Sequence, residues 1–265
     1  MQQSAAARWY TWMAKSKRAC EKLQITQNRP VTKGSGLMLL SFFSPEIALS
    51  AKPGQFIEIG FDGPTLPKPF SIHDTYEYGI VEILYQVVGP GTQKLAGLND
   101  GDEIVVFGPL GKGFDLPEEG PVYLVGGGTG NAPVKFLQKK LAKLSPKTFL
   151  GARTKALLPP QEMFDENTYF ATDDGSSGFK GTVIDMMSGQ LLPPGHILAC
   201  GPRPMLRGLW EFSKGFGVSC QFSLESYMAC GVGACLGCVI QTTSGYKKVC
   251  SDGPVFSASE VADAL

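Results

Sequence analysis

The sequence predicts an α+β protein of several domains: a small antiparallel β-barrel, then a parallel α/β domain, then a small cysteine-bearing module. Three observations support this prediction. Short strands separated by turns fill residues 23–114, a strand, a glycine-rich turn and a helix follow one another over 122–144, and four cysteines cluster near the end of the chain. We therefore expect domains at 19–117, 118–222 and 223–265, preceded by an extension, 1–18.

The extension, 1–18, has no role that the sequence defines. It holds aromatic residues but lacks the apolar core of a signal peptide. Two interpretations stay open: Met13 is the true start, or the segment is a short docking helix.

The composition of the 265 residues is that of a globular protein, with 43% hydrophobic residues and a formal net charge of zero. A neutral chain has no basic field to attract nucleic acid, and no apolar run reaches the roughly 18 residues of a membrane span. We expect neither nucleic acid nor membrane as a partner. Cys20, Cys200 and Cys220 lie outside the cluster of four, an odd number without a pairing scheme. A reducing cytoplasm is therefore the expected compartment.

The barrel is predicted from its strands, of which 36–43, 55–59, 79–88 and 101–107 are the clearest. Within 79–88 the side chains alternate between a fully apolar face and a mixed one, which is typical of a half-buried sheet. A short helix is expected after Gly89, and its first amides would suit a phosphate. On its own this last pattern more often marks a turn.

The α/β domain is predicted from strand 122–125, turn 126–133 and helix 134–144. The turn contains Gly126, Gly127, Gly128 and Gly130. Glycines let a backbone approach a pyrophosphate, and the following helix supplies amide donors, so this unit indicates a dinucleotide site. Further strands at 148–150, 168–172 and 196–199 and a helix at 204–214 extend the domain.

The last of these strands ends at Cys200 and Gly201, on the sheet edge where ligands of α/β domains bind. The alternative is a plain strand-to-helix turn with proline at the start of the helix. Asp173 and Asp174 follow another strand. They are candidates for ribose hydroxyls, although we favour an exposed turn for them.

The cysteines Cys230, Cys235, Cys238 and Cys250 have the spacing C-x4-C-x2-C-x11-C. A loop and a hairpin with strands 239–242 and 246–249 would bring the four sulfurs together around a [2Fe–2S] cluster. The loop amides of Gly231, Gly233 and Gly237 would then tune its potential. Zinc sites usually combine two C-x2-C knuckles, so zinc is the less favoured alternative, and a disulfide framework is less favoured still. Ser257 and Glu260 have the spacing of a capping box for a last short helix.

Several motifs together resemble one family. In chain order they are 68–71 (Lys-Pro-Phe-Ser), 91–92 (Gly-Thr), 108–114, 126–133, 200–205, the cysteine loop and 252–256 (Asp-Gly-Pro-Val-Phe). From about residue 20 onward the chain is similar to the electron-transfer subunit of class 1B dihydroorotate dehydrogenase, within the ferredoxin–NADP reductase superfamily. The glycine-rich stretches are shared across the superfamily, whereas the cysteine spacing and the Asp-Gly-Pro-Val-Phe ending occur in a much narrower group of proteins.

The resemblance implies an FAD-binding barrel, an NAD-binding domain and a C-terminal [2Fe–2S] module. Implied FAD contacts are Lys68, Pro69, Phe70, Ser71, Tyr85, Gln86, Val87, Gly91 and Thr92. Lys68 stands where arginine is usual, and Gln86 and Pro90 stand where relatives tend to carry basic residues. Because lysine offers a point charge instead of a bidentate fork, we expect weaker flavin binding.

The activity implied is that of an oxidoreductase subunit. Electrons would pass from the FMN of a dihydroorotate dehydrogenase catalytic subunit through [2Fe–2S] and FAD to NAD+, in pyrimidine (UMP) biosynthesis, within a heterotetramer of two subunits each. The alternatives are a stand-alone NAD(P)H-dependent reductase and a zinc-stabilised binding module. No residue is expected to be catalytic; His196 would start a strand, and His73 would line the flavin region or be solvated. Arg153 and Lys155 follow a strand, where they could contact the 2′-phosphate of NADP, so the residues do not decide between NAD and NADP. The preference for NAD is what the resemblance implies.

Overall fold

The structure is a computed structural model that describes residues 20–60, 66–214 and 219–265. The extension predicted at 1–18 lies outside the described residues. In the described part of the chain, no helix is both long and apolar enough to cross a membrane.

The first part of the chain is a closed antiparallel barrel with the strand order β1-β2-β5-β4-β3-β6. Its strands are β1 (Cys20–Pro30), β2 (Leu37–Phe43), β3 (Phe56–Gly60), β4 (Lys68–Thr75), β5 (Ile80–Gln86) and β6 (Glu103–Leu110). The four strands predicted in this region are confirmed as β2, β3, β5 and β6. Two more, β1 and β4, were not predicted, because β1 lacks a regular apolar alternation and β4 carries a proline that usually argues against a strand.

Two short helices contribute apolar residues to the core of the barrel. Helix α1 (Pro45–Ser50) is capped by the Ser44 hydroxyl, which accepts a hydrogen bond from the amide of Ile47. Helix α2 (Pro90–Ala96) confirms the helix expected after Gly89.

The second part is a seven-stranded sheet with the order β10-β9-β8-β7-β11-β12-β15. Its strands are β7 (Val122–Gly127), β8 (Lys147–Ala152), β9 (Thr168–Thr172), β10 (Phe179–Lys180), β11 (His196–Cys200), β12 (Ser219–Ser223) and β15 (Val255–Ser257). All neighbours run parallel except β12 and β15. The helices are α3 (Val134–Lys140), α4 (Val183–Ser188) and α5 (Arg203–Lys214). Helix α3 ends earlier than predicted, because a tighter 3-10 turn follows it at Ala142–Leu144.

The last part contains the hairpin of β13 (Val239–Thr242) and β14 (Gly245–Lys248), as predicted. The short helix α6 (Ala258–Val261) is also present, but the predicted capping box is wrong. The Ser257 hydroxyl pairs with Ser259, and the Glu260 carboxylate instead accepts a hydrogen bond from the Ser244 hydroxyl at 2.8 Å and pairs with Lys247 at 3.3 Å. Glu260 therefore binds the hairpin and does not cap helix α6.

One buried apolar cluster spans all three parts. Phe107 and Leu110 of the barrel lie in the same buried cluster as Phe149 and Phe222 of the sheet, together with Cys238 of the last part. Strand β15 also comes from the last part and forms the edge of the sheet. The domain boundaries stay a prediction. The interfaces between the three parts are packed with apolar side chains.

Candidate cofactor and cluster sites

A cavity of about 400 Å³ lies between the barrel and the carboxyl edge of the sheet. We call it the barrel cavity. Eight of the predicted cofactor contacts line it: Lys68, Pro69, Phe70, Ser71, Tyr85, Gln86, Thr92 and Cys200. Strand β4 supplies the first four, and the end of β5 supplies the next two. Val87 and Gly91 are not among its lining residues.

Tyr85 is held rigidly in this cavity. Its ring packs edge-on against Phe70 with the centroids 5.7 Å apart, and its hydroxyl donates to Asn28 Oδ1 at 3.1 Å. The Asn28 amide in turn donates to the carbonyls of Leu95 and Leu98, each at 2.8 Å. Burial raises the pKa of Tyr85 to about 12, so the phenol stays neutral. The wall is therefore preformed and uncharged at this point.

Thr92 has a structural task as well. Its hydroxyl accepts hydrogen bonds from the amides of Val88 and Gly89, at 2.9 and 3.1 Å, and donates to the Gly89 carbonyl. These bonds fix the turn between β5 and α2 at the rim of the barrel cavity.

A second cavity, of about 710 Å³, follows the carboxyl ends of β7, β8, β9 and β11. We call it the sheet cavity. Gly127 and Gly128 line it, as do Arg153, just after β8, and Asp173, just after β9. Crevices at this edge of open α/β sheets are where nucleotides bind. Asp173 and Asp174 both lie in the exposed turn after β9, which confirms the turn interpretation. Asp174 accepts hydrogen bonds from the amide and hydroxyl of Ser176, at 2.9 and 2.6 Å.

The other predicted glycines lie behind the lining of the sheet cavity. A Cβ on Gly130 would overlap the Cys200 carbonyl, one on Gly126 would lie 2.5 Å from Asn131 Oδ1, and one on Gly201 would lie 2.5 Å from Met205 Cε. These three glycines allow the turn, β11 and α5 to approach each other closely. Their role toward a ligand stays a prediction.

The two cavities adjoin. Gln86, Val88 and Thr129 line both of them. A ligand in the barrel cavity and one in the sheet cavity can therefore meet at this junction.

The cysteine loop gathers the four sulfurs in two pairs. The Cys238 and Cys250 sulfurs are 3.2 Å apart, because the hairpin places the Cys238 carbonyl 3.0 Å from the Val249 amide, and the Cys230 sulfur contacts Cys235. Gly231, Gly233 and Leu236 all have positive φ, from 59 to 80°. Such a tight loop turns its amides inward.

Backbone amides point at these sulfurs. The Gly233 amide donates to Cys250 Sγ at 3.1 Å, and the amides of Ala234 and Cys235 donate to Cys230 Sγ at 3.3 and 3.4 Å. Burial alone would raise the pKa of the Cys230 thiol, but the amide hydrogen bonds outweigh it and lower the pKa. Burial and the neighbouring Cys238 sulfur raise the pKa of Cys250 to about 12. Ligation by a metal is the usual way to keep such close thiolates ionised.

The paired arrangement favours a dinuclear cluster. A zinc site needs four ligands around one ion, whereas a [2Fe–2S] cluster takes two on each iron. Ser251 Oγ, which a Cβ on Gly233 would approach to 2.6 Å, is buried without a hydrogen-bond partner. An orphaned hydroxyl beside the loop fits an additional acceptor such as a cluster sulfide.

Comparison with known proteins identifies the family. A family model described as the iron–sulfur cluster binding domain of dihydroorotate dehydrogenase B matches residues 225–262. The dihydroorotate dehydrogenase B (NAD(+)) electron transfer subunit of Caldanaerobacter subterraneus subsp. tengcongensis is 41% identical, over 79% of this chain and 86% of that protein. The subunit of the same name from Geobacillus thermodenitrificans is 40% identical, over 91% of this chain and 98% of that protein. This chain belongs to the dihydroorotate dehydrogenase B electron transfer subunit family.

Solved structures agree with the fold of this family member. The NADH-dependent reduced ferredoxin-NADP oxidoreductase, studied for flavin-based electron bifurcation, matches with a TM-score of 0.80 and 30% identity, over 91% of this chain and 90% of that chain. A ferredoxin NADP+ reductase from Neisseria gonorrhoeae with bound FAD and NADP matches with a TM-score of 0.64 and 17% identity, over 77% and 93%. The second likeness is one of fold alone. The predicted fold class is confirmed.

Sequence reasoning missed one wall of the barrel cavity in this dihydroorotate dehydrogenase B family member. Leu224, Glu225, Ser226, Tyr227 and Met228 line the cavity, and the first ligand candidate, Cys230, follows two residues later. The Glu225 carboxylate also accepts a hydrogen bond from the Thr129 hydroxyl at 2.9 Å. The sequence carries no motif for this wall, because only the fold brings the segment against β4. The cysteine loop therefore starts at the barrel cavity.

A buried carboxyl group, Glu58 on β3, was also missed. It is fully buried, neither oxygen has a hydrogen-bond partner among the described residues, and a Cβ on Gly231 would lie 2.9 Å from its carboxyl carbon. Burial and the nearby Cys230 raise the pKa of Glu58 to about 7. The cysteine loop thus packs, at Gly231, against a buried carboxyl group of the barrel that has no hydrogen-bond partner among the described residues.

The two histidines have different environments. His196 begins β11, as predicted, and its Nδ1 lies 2.7 Å from the Ser219 hydroxyl. The expectation for His73 is wrong: its ring is buried, lines neither cavity and hydrogen bonds to the Ala132 carbonyl. Strand β4 turns this side chain toward the α/β domain, which the sequence pattern does not show.

The buried His73 predicts a pH dependence of stability. Burial is the main reason that the pKa of His73 falls to about 4, so the unfolded chain binds more protons between pH 4 and its ordinary pKa near 6.5. The free energy of unfolding should be fully retained above 6.5 and should fall by about 2 kcal/mol from pH 7.5 to pH 5. Urea unfolding of His73→Asn at both pH values should show a smaller fall. An equal fall in both proteins would contradict the prediction.

Proposed function

We propose that this chain carries electrons from the FMN of a dihydroorotate dehydrogenase catalytic subunit through a [2Fe–2S] cluster and FAD to NAD+, in pyrimidine biosynthesis. The observation that carries the proposal is the continuity of three sites. The sheet cavity adjoins the barrel cavity, and the wall of the barrel cavity leads within two residues to the first cysteine ligand, Cys230.

The barrel cavity suits a flavin. Cofactor pockets are mostly apolar with a few placed polar groups, and here Phe70 and Tyr85 give the apolar wall, with Ser71 and Lys68 as polar groups. We propose that Lys68, Pro69, Phe70, Ser71, Tyr85, Gln86, Val87, Gly91 and Thr92 form the FAD site. Because Lys68 supplies a single ammonium, flavin binding should be weaker than with arginine.

The sheet cavity suits the nicotinamide cofactor. We propose that Gly126, Gly127, Gly128, Gly130 and Gly201 form its glycine-rich side, with Gly127 and Gly128 facing the ligand. Cys200, at the end of β11, would contact a cofactor from the side of the barrel cavity. Asp173 places a carboxylate in the cavity, where it would accept hydrogen bonds from ribose hydroxyls and repel a 2′-phosphate. This favours NAD+ over NADP+.

The iron–sulfur site would be held by Cys230, Cys235, Cys238 and Cys250. A cluster of this kind exchanges single electrons, and a flavin exchanges either single electrons or a hydride, so the pair links one-electron and two-electron chemistry. The residues of this chain hold and orient these groups. None is proposed to act as acid or base on dihydroorotate.

The partner would bind where the cysteine loop is exposed. Cys235 is exposed, and Leu236 beside it is 63% exposed. We propose that this edge faces the FMN-containing catalytic subunit, in a heterotetramer of two subunits each in the cytoplasm. A short path between FMN and the cluster requires such a contact.

The test is reconstitution. The chain is co-expressed with the catalytic subunit, and dihydroorotate-dependent reduction of NAD+ is measured together with FAD, iron and sulfide content. We expect activity only when both subunits are present. Flavin and iron without dihydroorotate-dependent activity would point instead to a stand-alone reductase, which the 30% identity to the reduced ferredoxin-NADP oxidoreductase makes the second candidate. A colourless zinc protein would overturn both.

Cofactor selectivity gives a further prediction. Asp173→Ala should lower the preference for NADH over NADPH roughly tenfold, because the carboxylate that repels the 2′-phosphate is removed while Arg153 remains in the cavity. Steady-state kinetics with both cofactors measure the ratio. Asp174→Ala is the control, since that carboxylate is bound to Ser176. An unchanged ratio in Asp173→Ala would refute the assignment.

A further inference from the structure

Four consecutive residues at the end of β4 and just after it contact the α/β domain. His73 bonds to Ala132, and Asp74, Thr75 and Tyr76 all contact Lys139. We call these six residues the clasp. We propose that the clasp positions the glycine-rich turn against the barrel cavity and thereby sets the rate of hydride transfer between nicotinamide and flavin. The inference rests on the proposed function and assigns positioning residues within it.

The first half of the clasp is a buried hydrogen bond. His73 is 1% exposed, and its ring packs edge-on against Phe164 with the centroids 6.4 Å apart. The Ala132 carbonyl can only accept, so His73 Nδ1 carries the proton and donates it. A buried donor and acceptor that lost each other would both be left unsatisfied, which makes this contact costly to break.

The second half is an ion pair around Lys139 of α3. Its ammonium lies 3.1 Å from Asp74 Oδ1, also donates to the Thr75 carbonyl and lies 4.3 Å from the centre of the Tyr76 ring. The Asp74 side chain is only 2% exposed, whereas that of Lys139 is 41% exposed. Removing the lysine would leave a buried carboxylate without its cation.

The clasp is linked to the proposed cofactor sites through β4 and the glycine-rich turn. The other end of β4, from Lys68 to Ser71, lines the barrel cavity, and Ala132 of the glycine-rich turn lines it as well. Thr129, in the same turn as Ala132, lines both cavities. A shift of β4 against Ala132 would therefore change the distance across the junction of the cavities.

Hydride transfer is sensitive to that distance. Reacting atoms must approach to roughly 3–3.5 Å, and a displacement of about 1 Å can cost on the order of 100-fold in rate. The half-reaction NADH + FAD + H+ → NAD+ + FADH2 would move one hydride, with both electrons, from nicotinamide to flavin, and the one proton it consumes would come from solvent. A loosened clasp should slow this step without removing groups that touch either cofactor.

The test uses the full chain with its cofactors, in complex with the catalytic subunit. Variants His73→Leu and Lys139→Met break the two halves, and His73→Asn keeps an amide donor near the position of Nδ1. Lys143→Met is the matched control, because it makes the same change at an exposed lysine just after α3. Anaerobic stopped-flow absorbance gives the flavin reduction rate at saturating NADH. Hydrogen exchange of peptides covering 126–140 reports the position of the turn without any turnover.

We expect His73→Leu and Lys139→Met to lower the flavin reduction rate at least tenfold and to raise hydrogen exchange in 126–140, with FAD content unchanged. His73→Asn should recover most of the rate, and Lys143→Met should match the wild type. The inference is overturned if both clasp variants match Lys143→Met, or if the rate loss follows loss of bound FAD. Should His73→Leu fail to fold, Lys139→Met decides alone. If the wild type binds no flavin, the proposed function fails, while hydrogen exchange still tests the clasp.

Discussion

Gly233→Val is expected to abolish the iron–sulfur cluster or shift its potential. Gly233 has φ near +80°, which a β-branched residue adopts only with strain, and a Cβ there would lie 2.6 Å from Ser251 Oγ and 3.2 Å from Lys248. The loop would have to move, and the hydrogen bond from the Gly233 amide to Cys250 Sγ would be lost. Iron, acid-labile sulfide and the electron paramagnetic resonance spectrum of the reduced protein measure the outcome.

Gly245→Val is the control for backbone strain. Gly245 lies in the nearby hairpin and also has positive φ, +104°, but nothing lies within 4 Å of an added Cβ. It should weaken the hairpin and still leave the cluster in place. A full complement of iron, an unchanged spectrum and an unchanged potential in Gly233→Val would show that the loop does not form the proposed site.

Gly130→Ala is expected to destabilise the α/β domain by about 3 kcal/mol and to remove NADH binding. Its Cβ would overlap the Cys200 carbonyl and lie 2.6 Å from Gly201 Cα, and neither backbone can give way because β11 is a central strand of the sheet. The turn would separate from β11 at the junction of the two cavities. Urea unfolding and NADH titration measure the two effects.

Gly128→Ala is the matched control for stability in the same turn. Gly128 has φ near +57°, and nothing lies within 4 Å of an added Cβ. We expect a loss of only about 1–2 kcal/mol, which is the cost of left-handed backbone in a residue with a Cβ. Equal losses in the two variants would mean that close approach to Cys200 is unimportant.

The sequence was sufficient wherever chemistry depends on local spacing. The four cysteines and the hairpin that brings Cys238 to Cys250 are close in the chain, so their arrangement follows from turn geometry. The strand, turn and helix around Gly127 are equally local. Alternation within the third predicted strand was enough to identify it as a half-buried strand.

Contacts between distant segments could not be predicted in this way. Strand β4 carries a proline, so its sequence argues against a strand until β3 and β5 pair with it. The wall of the barrel cavity from Leu224 to Met228 and the approach of His73 to Ala132 depend on how the barrel packs on the sheet. No periodicity within one element contains that information.

Because Gln86, Val88 and Thr129 line both cavities, an occupant of either cavity can contact the same three side chains. If an occupant of one cavity orders these side chains, the second ligand binds to a surface that is already arranged. By reciprocity, whatever factor flavin adds to the affinity for NAD+, NAD+ adds to the affinity for flavin. A weakly held flavin would therefore be retained best while the nicotinamide is bound.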